Sequence, residues 1–195
     1  MTSSNEVDLE KGHSAESPKL RRITYVDDKD PLFWQFCADS IITDIAADLL
    51  GPDVRFRDMM LNFKWADGGA EVKWHQDICF YPHTHLGSMQ FLVSLEEVSS
   101  EQGPLKVIPA SHKGPIFEHY DDSNEWTGAI GPADLATAGV DDATELTGPA
   151  GTVSVHHCCT IHGSSCNNSA SGRPAFVMTY TAADAMPYTA PPYPS

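Results

Sequence analysis

Six short β-like segments recur along the chain from Val54 onward, and they constrain the fold more than any other feature. They are VRFRDMMLNFKW (54–65), EVKWHQDICF (71–80), SMQFLVSLEEV (88–98), PLKVIPAS (104–111), GTVSVHHCCTIHG (151–163) and RPAFVMTYTAA (173–183). Each is rich in β-branched, aromatic or alternating apolar residues and is bounded by Gly, Pro or Asp clusters, as strands joined by turns are. Ahead of them, Ile41, Ile42, Ile45, Leu49 and Leu50 recur at helical spacing within 31–50. Asp30 can cap this segment, Pro31 suits its first turn, and Gly51-Pro52 ends it. One or two helices packed against at least six strands predict a mainly β fold with flanking helices, either two antiparallel sheets or a barrel.

A chain of 195 residues fits one domain. Residues 1–19 are polar and aperiodic, so a disordered or loosely attached arm is expected there, with the folded domain over 20–195. Within that domain, residues 114–150 are too irregular for a strand and too long for a turn, which predicts a lid-like insertion. Twelve basic residues against 27 acidic ones give a formal charge of −15, which speaks against nucleic-acid and anionic-membrane partners. No apolar run approaches the roughly 18 residues of a membrane span. The five cysteines form no CxxC pair, which favours a reducing, cytoplasmic setting. A small-molecule substrate is the partner left standing, and oligomeric state leaves no mark in the sequence.

The chemistry concentrates in EVKWHQDICFYPHTH, residues 71–85. On a strand, His75 and Asp77 project to one side, while Trp74, Gln76 and Ile78 face the other. A second His-x-Asp triplet, His119 to Asp121, lies in the 114–150 loop, where solvated side chains are expected. A divalent metal needs a third ligand, and the best donor is His162. Alternation along GTVSVHHCCTIHG puts Ser154, His156, Cys158, Thr160 and His162 on one face, with His157 and Cys159 on the other. Two histidines and one carboxylate make the facial set of non-heme Fe(II) oxygenases, which leaves positions open for cosubstrate and O2. Iron suits such a set better than structural zinc, which is closed by four protein ligands. Arg173, eleven positions after His162, can clamp a dicarboxylate such as 2-oxoglutarate bidentately. His83 and His85 read as rim or solvent residues, and Cys79, Cys158 and Cys159 as small buried hydrophobes.

In order, WHQD, GPLKVIPASHKG and GPAGTVSVHHCCTIHGSSCNNSASGRP resemble the consecutive signatures of the phytanoyl-CoA dioxygenase family, and the similarity extends over about residues 20–187. The resemblance implies a double-stranded β-helix (a jelly roll, cupin-like) and dependence on Fe(II), 2-oxoglutarate and O2. It implies His75, Asp77 and His162 as iron ligands and Arg173 as the partner of the distal carboxylate of 2-oxoglutarate. Met60, Gln76 and Ser164 fall where family members line the cosubstrate pocket, and Arg22 falls where some carry a basic residue. The implied reaction is hydroxylation of an unactivated C–H bond of a small organic substrate, with succinate and CO2 as co-products. Two other readings of the same residues stay open: a non-catalytic jelly-roll ligand-binding protein, and a zinc-dependent cupin-like enzyme.

Overall fold

The helical segment divides in two because a second capping residue lies inside it. The Asp30 carboxylate accepts the Leu32 N–H at 2.9 Å and starts α1 (Pro31–Ala38), and the Ser40 hydroxyl accepts the Ile42 N–H at 3.3 Å and starts α2 (Ile41–Leu50). Ile42 and Ala46 are buried, with Ile45 packed beside them, whereas Ile41 and Leu49 face solvent, so the apolar stripe is narrower than its spacing suggests. The computed structural model describes residues 6–10, 12–66 and 68–187.

Among the described residues ten strands, two before these helices and eight after them, form two antiparallel sheets. They are β1 (Val7–Leu9), β2 (Leu20–Ile23), β3 (Val54–Asn62), β4 (Val72–His75), β5 (Ser88–Ser94), β6 (Leu105–Val107), β7 (Thr144–Leu146), β8 (Val153–His157), β9 (His162–Ser164) and β10 (Ala175–Ala182). The larger sheet runs β1-β2-β3-β10-β5-β8, and the smaller runs β4-β9-β6-β7. This is the double-stranded β-helix with flanking helices that the sequence leads one to expect.

The register of the larger sheet separates an apolar face from a polar one. Met59, Met178, Phe91 and Val155 lie side by side across β3, β10, β5 and β8, and the first three are fully buried under α1 and α2. Burial of each such side chain is worth about 1.5–3 kcal/mol. One residue along, the row reads Asp58, Thr179, Gln90 and His156. These side chains are polar and, apart from Asp58, buried. Buried polar residues on an inner face mark a lined site rather than a dry core.

Several expectations are corrected. Residues 1–19 are not wholly a loose arm: β1 pairs with β2, and Asp8 forms an ion pair with its register partner Arg22. A cross-strand charge pair holds this edge, and no hydrophobic period advertises it; residues 1–5 lie outside the described residues. The 151–163 run is not one strand. It leaves the larger sheet after His157, turns at Cys158-Cys159, and enters the smaller sheet at His162. The 71–80 run likewise stops at His75 and continues as a 3-10 turn over Asp77–Cys79. The 114–150 insertion carries α3 (Pro132–Leu135) and β7, which pairs with β6. Its Phe117, Ile130, Leu135 and Val140 pack with Trp74, Ile108 and Ile161 of the smaller sheet and its flanks. Among the described residues no helix is long and apolar enough to cross a membrane.

Candidate active site

His75 closes β4 and His162 opens β9, and the antiparallel pairing makes them direct register partners. Two residues on, the 3-10 turn brings Asp77 back toward the pair. Asp77 Oδ1 lies 3.5 Å from His75 Nε2 and 3.6 Å from His162 Nε2. One ligand atom from each of the three residues falls within 4.8 Å of the other two. Cis ligands about 2.1 Å from a common ion stand about 3 Å apart, so small side-chain rotations close the set on a metal.

The tautomers are arranged for coordination. His75 Nδ1 is 2.8 Å from the Lys73 carbonyl and His162 Nδ1 is 2.9 Å from the Thr160 carbonyl. A carbonyl only accepts, so both Nδ1 atoms carry the proton and both Nε2 lone pairs point into the cluster. The charge states agree. Burial alone would raise the Asp77 carboxyl, but His162, with His156 and His75, outweighs it and holds Asp77 well below its ordinary range. Burial, reinforced by the nearby His75, pushes His162 well below the usual imidazole range. A deprotonated Asp77 beside a neutral His162 imidazole is the state a divalent cation requires.

His156 also reaches the site, from the opposite sheet. Its Nε2 sits 3.2 Å from Asp77 Oδ2, while its Nδ1 is buried without a partner. Asp77 therefore turns one oxygen toward His75 and His162 and the other toward His156. The sequence placed His156 on the right face for the wrong reason, because the strand assumed to join it to His162 is broken.

A second polar cluster lies at the adjoining end of the sheets. Arg173 donates its backbone N–H to the Lys64 carbonyl at 2.8 Å, which continues the β3–β10 register beyond the strands. Lys64 is 5% exposed, and its ammonium donates to the Ser164 hydroxyl at 2.7 Å and to the Ser165 carbonyl. Burial pushes Lys64 down to about 8, with Arg173 adding to the effect, and pushes Arg173 down to about 10. Arg173 Nε is buried without a partner, and among the described residues no carboxylate forms an ion pair with either cation. A buried ammonium, a half-buried guanidinium with an orphaned donor, and a hydroxyl fit the carboxylate of an anionic cosubstrate. Arg173 and Ser164, both expected from the sequence, lie in this cluster together with Lys64, which was not expected and whose only signal is a cation two residues past the end of β3. Met60 alternates with Met59 on β3 and so points to the inner face, four positions before Lys64.

Gln76 and Arg22 do not join this pocket. Gln76 is fully buried, with its amide donating to the Pro115 and Cys159 carbonyls and accepting the Phe117 N–H. It is a latch between the 3-10 turn and the 114–150 segment, and its hydrogen-bonding groups are taken. Arg22 is committed to Asp8. His119 is not a solvated loop residue: it is 1% exposed, takes the Gln76 backbone N–H on Nε2, and stacks on Trp126. Phe80 meets His75, His119 and Trp126 edge-on, forming an aromatic wall beside the triad. His83 is buried rather than on the rim, while His85 is exposed and pairs with Asp184 at 2.9 Å. A cavity of about 870 Å³ opens between the 118–135 segment and the smaller sheet, bordered by Trp74, Lys106, Tyr120, Ile130 and Ser164.

Comparison with known proteins agrees with this geometry. The family model described as "Phytanoyl-CoA dioxygenase (PhyH)" matches residues 2–175. A probable alpha-ketoglutarate-dependent hypophosphite dioxygenase of Stutzerimonas stutzeri is 36% identical, over 96% of this chain and 66% of its own length. The L-proline trans-4-hydroxylase of Streptomyces griseoviridis is 33% identical, over 90% of this chain and 70% of its own. Among solved structures, EctD from S. alaskensis with 2-oxoglutarate and 5-hydroxyectoine superposes with a TM-score of 0.78 at 26% identity, covering 96% of this chain and 64% of EctD. The chain thus spans about two-thirds of the length of the proteins it matches.

Proposed function

Because the chain belongs to the phytanoyl-CoA dioxygenase family, we propose that it acts as an Fe(II)- and 2-oxoglutarate-dependent dioxygenase. The reaction is hydroxylation of an unactivated C–H bond in a small organic molecule, with succinate and CO2 as co-products. One observation carries this reading beyond the family: a two-histidine, one-carboxylate cluster lies beside a buried Lys64 and a half-buried Arg173, neither of which forms an ion pair among the described residues.

His75, Asp77 and His162 would hold the iron, the two imidazoles through Nε2 and the carboxylate through Oδ1. Iron supplies the activation of O2 that is coupled to oxidative decarboxylation of the 2-oxo acid. The protein supplies orientation and electrostatics. His156 holds the second oxygen of Asp77, which would leave Oδ1 as the oxygen offered to the metal. Arg173 and Lys64 take the distal carboxylate of 2-oxoglutarate, with Ser164 beside them, and the burial that makes these cations costly when unpaired strengthens them as an anion clamp. Phe80, Trp126 and the latched 114–150 segment keep water from the His75 side.

A zinc-dependent cupin-like enzyme would use the same three ligands but would leave Lys64 and Arg173 without a task. A non-catalytic binding protein would bind the cosubstrate and consume none of it. Succinate release from 2-oxoglutarate, measured with Fe(II) and O2 and again with Zn(II), separates the three. Turnover with iron that His162→Ala abolishes is expected. Full turnover in that variant contradicts the assignment.

A further inference from the structure

The turn that carries the chain from β8 to β9 gathers a second set of metal-binding atoms that the proposed oxygenase chemistry does not use. His157, Cys158 and Cys159 each offer one donor atom, and the three lie within 4.8 Å of one another. The Cys158 and Cys159 sulfurs are 3.9 Å apart, and Cys158 Sγ is 3.8 Å from His157 Nδ1. A tetrahedral ion with metal–sulfur bonds of about 2.3 Å and metal–nitrogen bonds of about 2.0 Å sets adjacent donors about 3.5–3.8 Å apart. The cluster already has nearly those edges.

The imidazole is in the right form. His157 Nδ1 accepts the Cys159 backbone N–H at 3.1 Å, so Nδ1 carries the lone pair and Nε2 the proton. A metal would take that lone pair in exchange for the amide bond. A fourth donor stands alongside on the 3-10 turn Ser111–Lys113: the His112 ring centre is 5.6 Å from that of His157. Two imidazoles on one tetrahedral ion have ring centres about 5 Å apart. His112 is exposed and can complete the set by side-chain rotation.

We propose that Cys158, Cys159, His157 and His112 form a Cys2His2 site for a thiophilic d10 cation, with Zn(II) the occupant that the tetrahedral spacing fits. Binding couples thiol deprotonation to coordination, with both protons released to solvent. The hydrogen bond between the two thiols favours the Cys159 thiolate and, with burial, disfavours that of Cys158, so the second deprotonation is driven by metal coordination. The two centres are sorted by ligand softness, because sulfur donors select zinc while the nitrogen and carboxylate donors at Asp77 suit iron. The site would also brace the one turn that separates His156 from His162, two residues of the proposed active site. The inference itself does not depend on the oxygenase reading.

Cobalt(II) is the probe, used on reduced protein without oxygen in a Cys79→Ser/Cys166→Ser background, which removes the other two thiols near or at the surface. Thiolate-to-cobalt charge transfer in the near ultraviolet, with tetrahedral ligand-field bands in the visible, is expected to saturate at one equivalent. The cluster at Asp77 has no sulfur and cannot produce the former. Adding Cys158→Ser/Cys159→Ser should remove the thiolate band while the far-ultraviolet circular dichroism is unchanged. Absence of the thiolate band in the background protein, or its survival in the serine variant, overturns the site. If the serine variant fails to fold, His112→Ala decides: a loss of cobalt affinity of at least about tenfold supports the site, and unchanged affinity overturns it.

Discussion

Lys64 and Arg173 face each other across the extended β3–β10 ladder, joined by a 2.8 Å backbone hydrogen bond, and each brings a cation to the same end of the sheet, Lys64 buried and Arg173 half-buried. Like charges held this close are unfavourable unless an anion is meant to lie between them. The two residues are 109 positions apart in sequence, and only the pairing of their strands brings them together.

The pH dependence of cosubstrate binding follows from Lys64. Burial lowers it to about 8, so above that pH the free protein carries a neutral amine that must take up a proton to meet a carboxylate. Affinity for 2-oxoglutarate should therefore fall as pH rises through about 8, by up to about tenfold per unit. Lys64→Met should bind more weakly at neutral pH and lose this dependence. Calorimetric titration at several pH values checks it, and an identical slope in both proteins contradicts the assignment.

His156→Phe tests the orientation of Asp77. Loss of the 3.2 Å contact to Oδ2 leaves the carboxylate free to rotate. Iron affinity should drop about 10–100-fold, the usual cost of removing a partner that orients a ligand. An iron titration followed by bound-metal absorbance measures this, and unchanged affinity means that other groups position Asp77.

Gln76→Ala distinguishes a latch from a pocket residue. It strands the Phe117 N–H and the Pro115 and Cys159 carbonyls, and should cost about 3 kcal/mol in urea unfolding. The half-saturating 2-oxoglutarate concentration should stay within about twofold. A raised 2-oxoglutarate requirement with unaltered stability would return Gln76 to the cosubstrate pocket.

The metal-free protein should be acid-sensitive well above the carboxylate range. Burial lowers His162, His119 and His83 below the ordinary imidazole value. Unfolding restores that value, so below about pH 6.5 the unfolded chain binds more protons and stability falls with pH. Asp77, held low, adds its own loss only in more acidic solution. The urea midpoint should decline between about pH 7 and 5, and a flat profile there contradicts the neutral-imidazole arrangement.

The sequence carried most of the sheet, because β5 and β10 alternate cleanly between the helix-covered face and the inner face, and β3 does so on either side of one bulge. It was less informative wherever the chain changes sheets. The continuous apolar run 151–163 looks like one strand, since nothing local distinguishes the Cys158-Cys159 turn from its flanks. β1 and β7 are three-residue edge strands held by cross-strand partners, including the ion pairs Arg22–Asp8 and Lys106–Glu145, rather than by any period. His75, Asp77, His162 and Arg173 were legible because their spacing matches a known chemistry. Lys64 and the latch role of Gln76 were not, because both depend on residues 39 or more positions away.

The most direct test of the central claim is to add Fe(II) and then 2-oxoglutarate to the apoprotein without oxygen, and to record the visible metal-to-ligand charge-transfer absorption of chelated 2-oxoglutarate. The account predicts a band in the wild type that disappears in His162→Ala and needs more 2-oxoglutarate in Arg173→Ala. A folded wild-type protein with no band, or a band that survives His162→Ala unchanged, would contradict it.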